Sequence, residues 1–258
     1  MKVSLFVTCL VDLFYPTTGE SVVELLESRG VEVEFNPAQE CCGRFALEAG
    51  FVDDATTQAR HFVDLFHDAG YVVVPSAACA AMIKTGYPQL LAGDPRVAAL
   101  AARTWELSQF LVDVVHVTDH HVHYAGKILH QTACHLQHTL GDTQSVPTLL
   151  ATVQEATVLP GPPGDECCGF GGPFSVLYPE LSAAILDTHV RHIEASGADV
   201  VVTCDPGCLM HLNGGLSRRG CRAHAVHLAD LLAGKVTAPP PAVPSKPSRP
   251  KPTRPRPW

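Results

Sequence analysis

Apolar and polar positions along this chain form a repeating order of strand-like and helix-like patterns. In the first half, the stretches typical of buried strands are KVSLFVTCL, VEVEF and YVVV, at residues 2–10, 31–35 and 71–74. Helical patterns alternate with them: GESVVELLESRG ends at Gly30, residues 53–69 place apolar side chains on one face, and a further helix is predicted from Trp105 to Val115. Alternating strands and helices predict parallel sheets covered by helices, so the predicted fold class is α/β.

The second half repeats this order. Its predicted strands are KILHQTAC, TVLPG and ADVVVTC, and its predicted helices cover residues 146–156 and 180–196, the latter followed by Gly197. Cys41 and Cys167, which open the two CCG motifs, are 126 positions apart, and Cys9 and Cys134 are 125 positions apart. An internal duplication explains both separations. We therefore expect two pseudo-symmetric α/β halves with mainly parallel sheets, at residues 1–125 and 126–237.

The composition changes at residue 238. Residues 238–258 contain nine prolines, five basic residues and no acidic residue, which predicts a disordered, Pro-rich basic tail. The remaining body carries 13 basic and 26 acidic residues. Because binding to nucleic acid requires a clustered positive face, this charge balance argues against nucleic acid as a partner.

Ten cysteines are many for 258 residues, and the compartment decides how they are used. The opening MKVSLFVTCLVDLFYP is interrupted by Asp12 and lacks a small-residue cleavage site, so it is a poor match to a signal peptide. No apolar segment reaches the length of about 18 residues that a transmembrane helix needs. These features predict a cytoplasmic protein whose cysteines bind metal or perform redox chemistry.

The cysteines fall into two sets that follow predicted strands. The first half contributes Cys9, Cys41, Cys42 and Cys79, and the second contributes Cys134, Cys167, Cys168 and either Cys204 or Cys208. Distances from the valine triplets of the two halves pair Cys79 with Cys208, which leaves Cys204 as an extra thiol and Cys221 unassigned. Since ligand sites of parallel sheets form at the carboxyl ends of strands, we expect each set to converge.

Four thiolates in each half match the usual ligand count of an iron-sulfur cluster, whose iron favours soft sulfur donors. Adjacent cysteines are awkward ligands for a single zinc ion, whose structural sites usually separate the ligands by two to four residues. Gly43 and Gly169 leave the backbone free to point amide N–H groups at a negative cluster. The alternative, that buried cysteines act as small apolar side chains, does not explain one spacing scheme that occurs twice.

Six motifs give the chain a resemblance to a known family. They are LFVTCLVDLFYP, CCGRFALEAGF, PSAACAAMI, ACHLQHTLG, CCGFGGPFSV and GCLMHLNGG. The chain resembles, over residues 1 to 235, the lactate-utilisation protein A family of cysteine-rich CCG-domain proteins. That wider group includes the heterodisulfide reductase B subunit and the iron-sulfur subunit of glycolate oxidase.

The resemblance implies an iron-sulfur electron-transfer subunit of a cytoplasmic complex that oxidises L-lactate to pyruvate. It implies partners, namely a ferredoxin-like iron-sulfur protein and a third subunit, and up to two 4Fe-4S clusters. The residues that correspond to the family's cluster ligands are Cys9, Cys41, Cys42, Cys79, Cys134, Cys167, Cys168 and Cys208.

The sequence departs from the heterodisulfide reductase relatives at one point in each half. Those relatives end the motif with C-x-x-C and use a fifth thiolate for a noncubane cluster, whereas Met82 and His211 occupy the fifth positions here. This departure argues against the noncubane type and against disulfide reduction. His211 is either an additional nitrogen ligand or a polar neighbour of the site, and His135 and His138 either tune a cluster by hydrogen bonding or pack beside Cys134.

Three alternatives stay open at this point: a heterodisulfide-reductase-like thiol-disulfide subunit, a glycolate oxidase iron-sulfur subunit, and a zinc-stabilised binding scaffold. The sequence contains no G-x-S-x-G and no Walker loop, and GFGG at residues 169–172 lacks the full spacing of a dinucleotide site. A redox subunit of an oxidoreductase complex, without a complete active site of its own, is therefore predicted.

Overall fold

The fold contains two four-stranded parallel sheets, as seen in a computed structural model that describes residues 1–117, 119, 121–161 and 167–237. The first sheet consists of β1 (Lys2–Leu5), β2 (Glu32–Phe35), β3 (Val72–Val74) and β4 (Thr104–Glu106), and the second of β5 (Lys127–His130), β6 (Thr157–Leu159), β7 (Val200–Thr203) and β8 (His224–His227). The strand orders are β2-β1-β3-β4 and β6-β5-β7-β8. The predicted α/β class with two similar parallel sheets is confirmed. The predicted tail at 238–258 lies outside the described residues.

Helices connect the strands and cover both sheets. They are α1 (Cys9–Phe14), α2 (Pro16–Glu27), α3 (Arg44–Glu48), α4 (Val52–Phe66), α5 (Ala77–Ala81), α6 (Tyr87–Leu90), α7 (Pro95–Arg103), α8 (Leu107–Gln109), α9 (Ser145–Leu150), α10 (Phe174–Leu177), α11 (Pro179–Ser196), α12 (Pro206–Arg219) and α13 (Leu228–Leu232). Three π-helical turns cover Met82–Gly86, Phe110–Val114 and His135–Thr139. Within the ranges that the structure describes, no helix is both long and apolar enough to cross a membrane.

The predicted helix from Trp105 to Val115 is wrong at its start. Trp105 lies in β4, which pairs with β3 in register Val72↔Thr104 and Val74↔Glu106. Thr104 and Glu106 are fully buried and Trp105 between them is half-buried, so this segment has the two-residue period of a strand. The polar Glu106 hides that pattern in the sequence. The fourth strand of the second sheet, β8, was not predicted either, and it too ends on a buried polar residue, His227.

The strand order explains why the cysteines gather. In each sheet the chain passes from a central strand to one neighbour and then returns to the other side, which opens a crevice at the carboxyl ends of the central strands. Cys9 follows β1 and Cys79 follows β3 at this crevice of the first sheet. Cys134 and Cys208 follow β5 and β7 in the same way in the second sheet.

The two halves share one core. The main cluster of buried apolar side chains combines Val3, Leu26 and Phe110 from the first half with Ile128 and Val200 from the second, among others. Polar contacts reinforce the contact between α2 and α13: the hydroxyls of Thr18 and Ser21 each donate a 2.7 Å hydrogen bond to the Asp230 carboxylate. The cysteine-bearing edges are thereby held in a fixed relation.

Two candidate cysteine metal sites

The four cysteine sulfurs of the first half form a connected chain. Cys9 Sγ lies 3.7 Å from Cys41 Sγ, and Cys42 Sγ lies 3.3 Å from Cys79 Sγ. The two pairs are linked through the backbone, because Cys41 and Cys42 are consecutive residues. Residues that are 70 positions apart in sequence, from Cys9 to Cys79, thus meet at one place, as the spacing predicts.

The second half builds the same chain from equivalent positions. Cys168 Sγ lies 2.8 Å from Cys208 Sγ, and interactions with Cys134 and Cys168 lower the pKa of Cys167. The assignment of Cys208 rather than Cys204 to this set agrees with that contact. We call these two groups the first cysteine site (Cys9, Cys41, Cys42, Cys79) and the second cysteine site (Cys134, Cys167, Cys168, Cys208).

Each site favours one thiolate at the first cysteine of the adjacent pair. Hydrogen bonds from Cys42 and Cys9 lower the pKa of Cys41 to about 3, and hydrogen bonds from Cys134 and Cys168 lower the pKa of Cys167 to about 2. The pKa values of the donor thiols shift in the opposite direction, because hydrogen bonding to Cys41 raises the pKa of both Cys9 and Cys42. Because the thiolate is the form that binds metal, each site holds one ligand ready for binding.

The glycine behind each pair aims its amide at that thiolate. Gly43 and Gly169 have φ of 82° and 87°, in the left-handed region that favours glycine. The Gly169 amide donates to Cys167 Sγ at 3.4 Å, and the Gly43 amide helps to lower the pKa of Cys41. The amides of both glycines therefore act on the first cysteine of their pair, and their orientation toward a cluster stays a prediction.

The carbonyls of the two CCG loops are held by different partners, which the sequence did not reveal. The hydroxyl of the fully buried Tyr87 donates to the carbonyl of Cys42 at 3.0 Å, and burial raises the pKa of Tyr87, so this donor stays protonated. In the second half, His189 Nε2–H donates to the carbonyl of Cys167 at 2.9 Å, and Ser182 Oγ donates to the carbonyl of Gly169 at 2.7 Å. The CCG motif is therefore duplicated, but the residues that support it differ between the two halves.

These unequal supports give a matched pair of variants. Tyr87→Phe leaves a buried carbonyl without its donor, which costs about 1–3 kcal/mol, and we expect the loss to loosen only the first cysteine site. His189→Phe removes the donor to Cys167 and should loosen only the second. Urea unfolding of the metal-free chain measures the cost, and iodoacetamide labelling read by mass spectrometry locates it. If either variant changed the labelling of both sites equally, the two supports would not be independent.

The remaining candidates lie around the second site. His211 Nε2 lies 3.2 Å from Ser182 Oγ, and its ring packs against Phe170 at a centroid distance of 5.8 Å, so it supports the loop that carries Cys167. Cys204 is buried behind the site, and burial followed by the charge of Glu106 raises the pKa of its thiol. Cys221 lies apart, with its Sγ 3.2 Å from the carboxylate of Glu194.

Two other predicted neighbours are also placed. His135 Nδ1 lies 3.4 Å from Cys134 Sγ, which is the hydrogen-bonding arrangement that the sequence left open. Met82, the counterpart of His211, packs with Cys42 and Cys79 in the apolar core of the first half. The fifth position is therefore apolar in one half and polar in the other.

The chemical type of the donor atoms in each site is the type that binds an iron-sulfur cluster. Each site supplies four soft sulfur donors, one of them already favoured as a thiolate, and a backbone amide directed at that sulfur. The contacts within each site are sulfur to sulfur, and among the described residues no three His, Cys, Asp or Glu side chains form a preset site for one metal ion.

Comparisons with known proteins agree with the internal duplication. A family model described as CCG, cysteine-rich domain, matches twice, at residues 3–84 and 128–213. Lactate utilization protein A of Halalkalibacterium halodurans is 45% identical over 236 residues, which cover 90% of this chain and 96% of that protein. The protein of the same name from Geobacillus thermodenitrificans is 43% identical, over 90% of this chain and 98% of its own length. The crystal structure of an aspartate racemase homologue from Pyrococcus horikoshii matches 91% of this chain and 97% of its own, at 10% identity and a TM-score of 0.34.

Proposed function

Because this chain belongs to the lactate utilization protein A family and carries the CCG cysteine-rich domain twice, we propose that it serves lactate utilisation as an iron-sulfur electron-transfer subunit. The observation that carries the proposal is the set of cysteines at the crevice of each parallel sheet, with sulfur-sulfur contacts in both halves. The proposed reaction of the complex is the oxidation of L-lactate to pyruvate, which releases two electrons and two protons.

In this proposal the eight cysteines of the two sites hold the metal clusters. A 4Fe-4S cluster, when bound, supplies a one-electron acceptor whose potential depends on burial, hydrogen bonds and nearby charge. Two such acceptors match the two electrons that one lactate releases. The residues of the chain then have distinct tasks: the cysteines bind, and the amides of Gly43 and Gly169 stabilise negative charge at the first sulfur of each pair.

The proposal includes partners, because electrons have to enter and leave. We propose a complex with a ferredoxin-like iron-sulfur protein and a third subunit, as the family resemblance implies. Cys167 is the exposed cysteine of the second site, whereas Cys168 and Cys208 are buried. An exposed sulfur at the edge of a site shortens the path to a partner's redox centre.

Metal and sulfide analysis tests the proposal. After anaerobic purification, we expect roughly four iron atoms and four acid-labile sulfides for each cysteine site, with the optical and paramagnetic spectra of a cluster. Cys42→Ala and Cys168→Ala should each lose about half of the iron and sulfide, because each removes one ligand from one site. Cys221→Ala is the matched control, since Cys221 belongs to neither site, and its content should equal that of the native chain.

Two outcomes would contradict parts of this proposal. Stoichiometric zinc without sulfide in the native chain would replace the electron-transfer role with a zinc-stabilised scaffold. Clusters that, once reduced, cleave a disulfide substrate at a rate lost in Cys42→Ala would replace it with thiol-disulfide chemistry. Lactate-dependent reduction of the clusters in the reconstituted complex, unchanged in Cys221→Ala, supports the proposal.

A further inference from the structure

One buried carboxylate connects the two cysteine sites. Asp205 is 6% exposed and precedes α12, where its Oδ1 accepts hydrogen bonds from the amides of Gly207 at 3.0 Å and Cys208 at 3.4 Å. Its Oδ2 reaches the first half and accepts hydrogen bonds from the hydroxyl of Ser76 and the amide of Ala78, both at 3.0 Å. Each half therefore donates two hydrogen bonds to the same side chain.

The residues that meet here are equivalent helix caps. Ser76 is the N-cap of α5, and its Oγ accepts from the amide of Cys79 at 3.3 Å. Asp205 is the N-cap of α12 and accepts from the amide of Cys208. Each cap lies three positions before a cysteine of its own site, so the contact between the caps fixes Cys79 and Cys208 relative to each other.

Asp205 lies beside both cysteine sites. The space beside the first cysteine site, about 380 Å³ including its opening to solvent, is lined by Asp205 together with Cys9, Cys79 and Arg44. In the second site, Asp205 contacts the turn that carries a ligand cysteine, because its Oδ1 accepts from the amide of Cys208 at 3.4 Å. Nothing in the duplication predicts this asymmetry, since Ser76 provides no charge from the first half.

We propose that Asp205 is the positioning residue that couples the two cysteine sites, by joining the first turns of α5 and α12 and by placing one negative charge between the sites. The inference rests on the proposed function, because the coupled property is the reduction potential of the clusters that the sites hold. A nearby negative charge disfavours the addition of an electron, so Asp205 lowers the potential of both sites.

Asp205→Asn removes the connection to the first half together with the charge, while it keeps the cap of α12. Asparagine is an equally good N-cap, so its Oδ1 can still accept from Gly207 and Cys208. Its amide nitrogen then faces the donors of Ser76 and Ala78, so the bonds to the first half are lost together with the charge. Asp94→Asn is the matched control: Asp94 caps α7 by accepting from the amide of Arg96 at 3.0 Å, within one half and apart from both sites.

Redox titration of the holoprotein, monitored by paramagnetic spectra, measures the reduction potential of the clusters in both sites. We expect Asp205→Asn to shift the reduction equilibrium of both sites about tenfold towards the reduced form, or about 59 mV for a one-electron couple, with Asp94→Asn unchanged. A purely structural role would lower cluster content without this upward shift. A shift confined to the second site, or no shift, would overturn the proposal.

A second measurement separates this inference from the proposed function. If the native chain binds no iron and sulfide, the proposed function fails, and site-resolved iodoacetamide labelling of the metal-free chain still tests the connection. We expect Asp205→Asn to increase the labelling rates of both Cys79 and Cys208 by about fivefold or more, the lower end of typical coupling between sites. Faster labelling of Cys208 alone would show that Asp205 serves only its own half.

Discussion

Replacement of Glu106 by glutamine is expected to raise the free energy of unfolding, relative to the native chain, by about 4 kcal/mol more at pH 9 than at pH 5. Glu106 is fully buried at the end of β4, and burial raises the pKa of its carboxyl to about 8, with a smaller contribution from the charge of Asp142. Oε2 accepts hydrogen bonds from the amide and hydroxyl of Ser108, while Oε1 has no hydrogen-bond partner within the described ranges. Burial therefore outweighs the hydrogen bonds from Ser108, which by themselves lower the pKa of this carboxyl.

The sign of the effect follows from proton binding. The folded state keeps the Glu106 proton up to a pH of about 8, whereas the unfolded chain releases it near the ordinary value of 4.5. Between these values the folded state binds more protons than the unfolded state, so the free energy of unfolding falls by about 1.4 kcal/mol per pH unit from this group. Glu106→Gln cannot ionise and removes this loss.

Urea unfolding of the metal-free native and Glu106→Gln chains at pH 5, 6, 7, 8 and 9 measures the effect. The difference in free energy of unfolding should grow from pH 5 to pH 8 and then level off. Glu34→Gln is the control, because Glu34 lies at an exposed position of β2 and pairs with Lys2 at 3.3 Å. A constant difference across the series would mean that Glu106 is already charged in the fold.

The convergence of the cysteines was easier to predict from the sequence than the strands at the sheet edges. Cys9, Cys79 and their counterparts could be placed because each directly follows a run of apolar residues, and because parallel strands bring their carboxyl ends together. The strand containing Trp105 was missed because a buried glutamate ends it. A buried carboxylate contradicts the usual pattern, and only tertiary burial shows that Glu106 faces inward.

The connection between the sites depended on contacts that no spacing rule encodes. The separation of 126 positions between the CCG motifs predicts two equal sites, but it says nothing about how they face each other. Ser76 and Asp205 are ordinary helix caps in sequence, and the hydrogen bond between them spans 129 positions. Tyr87 and His189 likewise support the two loops from unrelated positions, so the pseudo-symmetry of the cysteines does not extend to their surroundings.

Gly169→Ala is expected to destabilise the metal-free chain by about 3 kcal/mol and to impair the second cysteine site. A Cβ at this position would lie 2.9 Å from the carbonyl oxygen of Ser182 and 3.0 Å from Cβ of Ile185. The clash adds about 1–3 kcal/mol to a cost of about 1–2 kcal/mol for φ of 87°. The loop must then move, which withdraws the Gly169 amide from Cys167.

Gly197→Ala provides the control that separates backbone conformation from close approach. Gly197 ends α11 with φ of 66°, but no atom of the described residues lies within 4 Å of the point that a Cβ would occupy. This substitution should therefore cost only about 1–2 kcal/mol and leave both sites intact. Urea unfolding compares the costs, and iron and sulfide analysis after reconstitution compares the sites.

Equal destabilisation by the two substitutions would mean that the CCG loop can move away from α11 without loss of stability. Greater loss of stability and metal in Gly169→Ala would show that the glycine is needed because the loop approaches the helix backbone, which is how the second adjacent cysteine pair is held at its crevice.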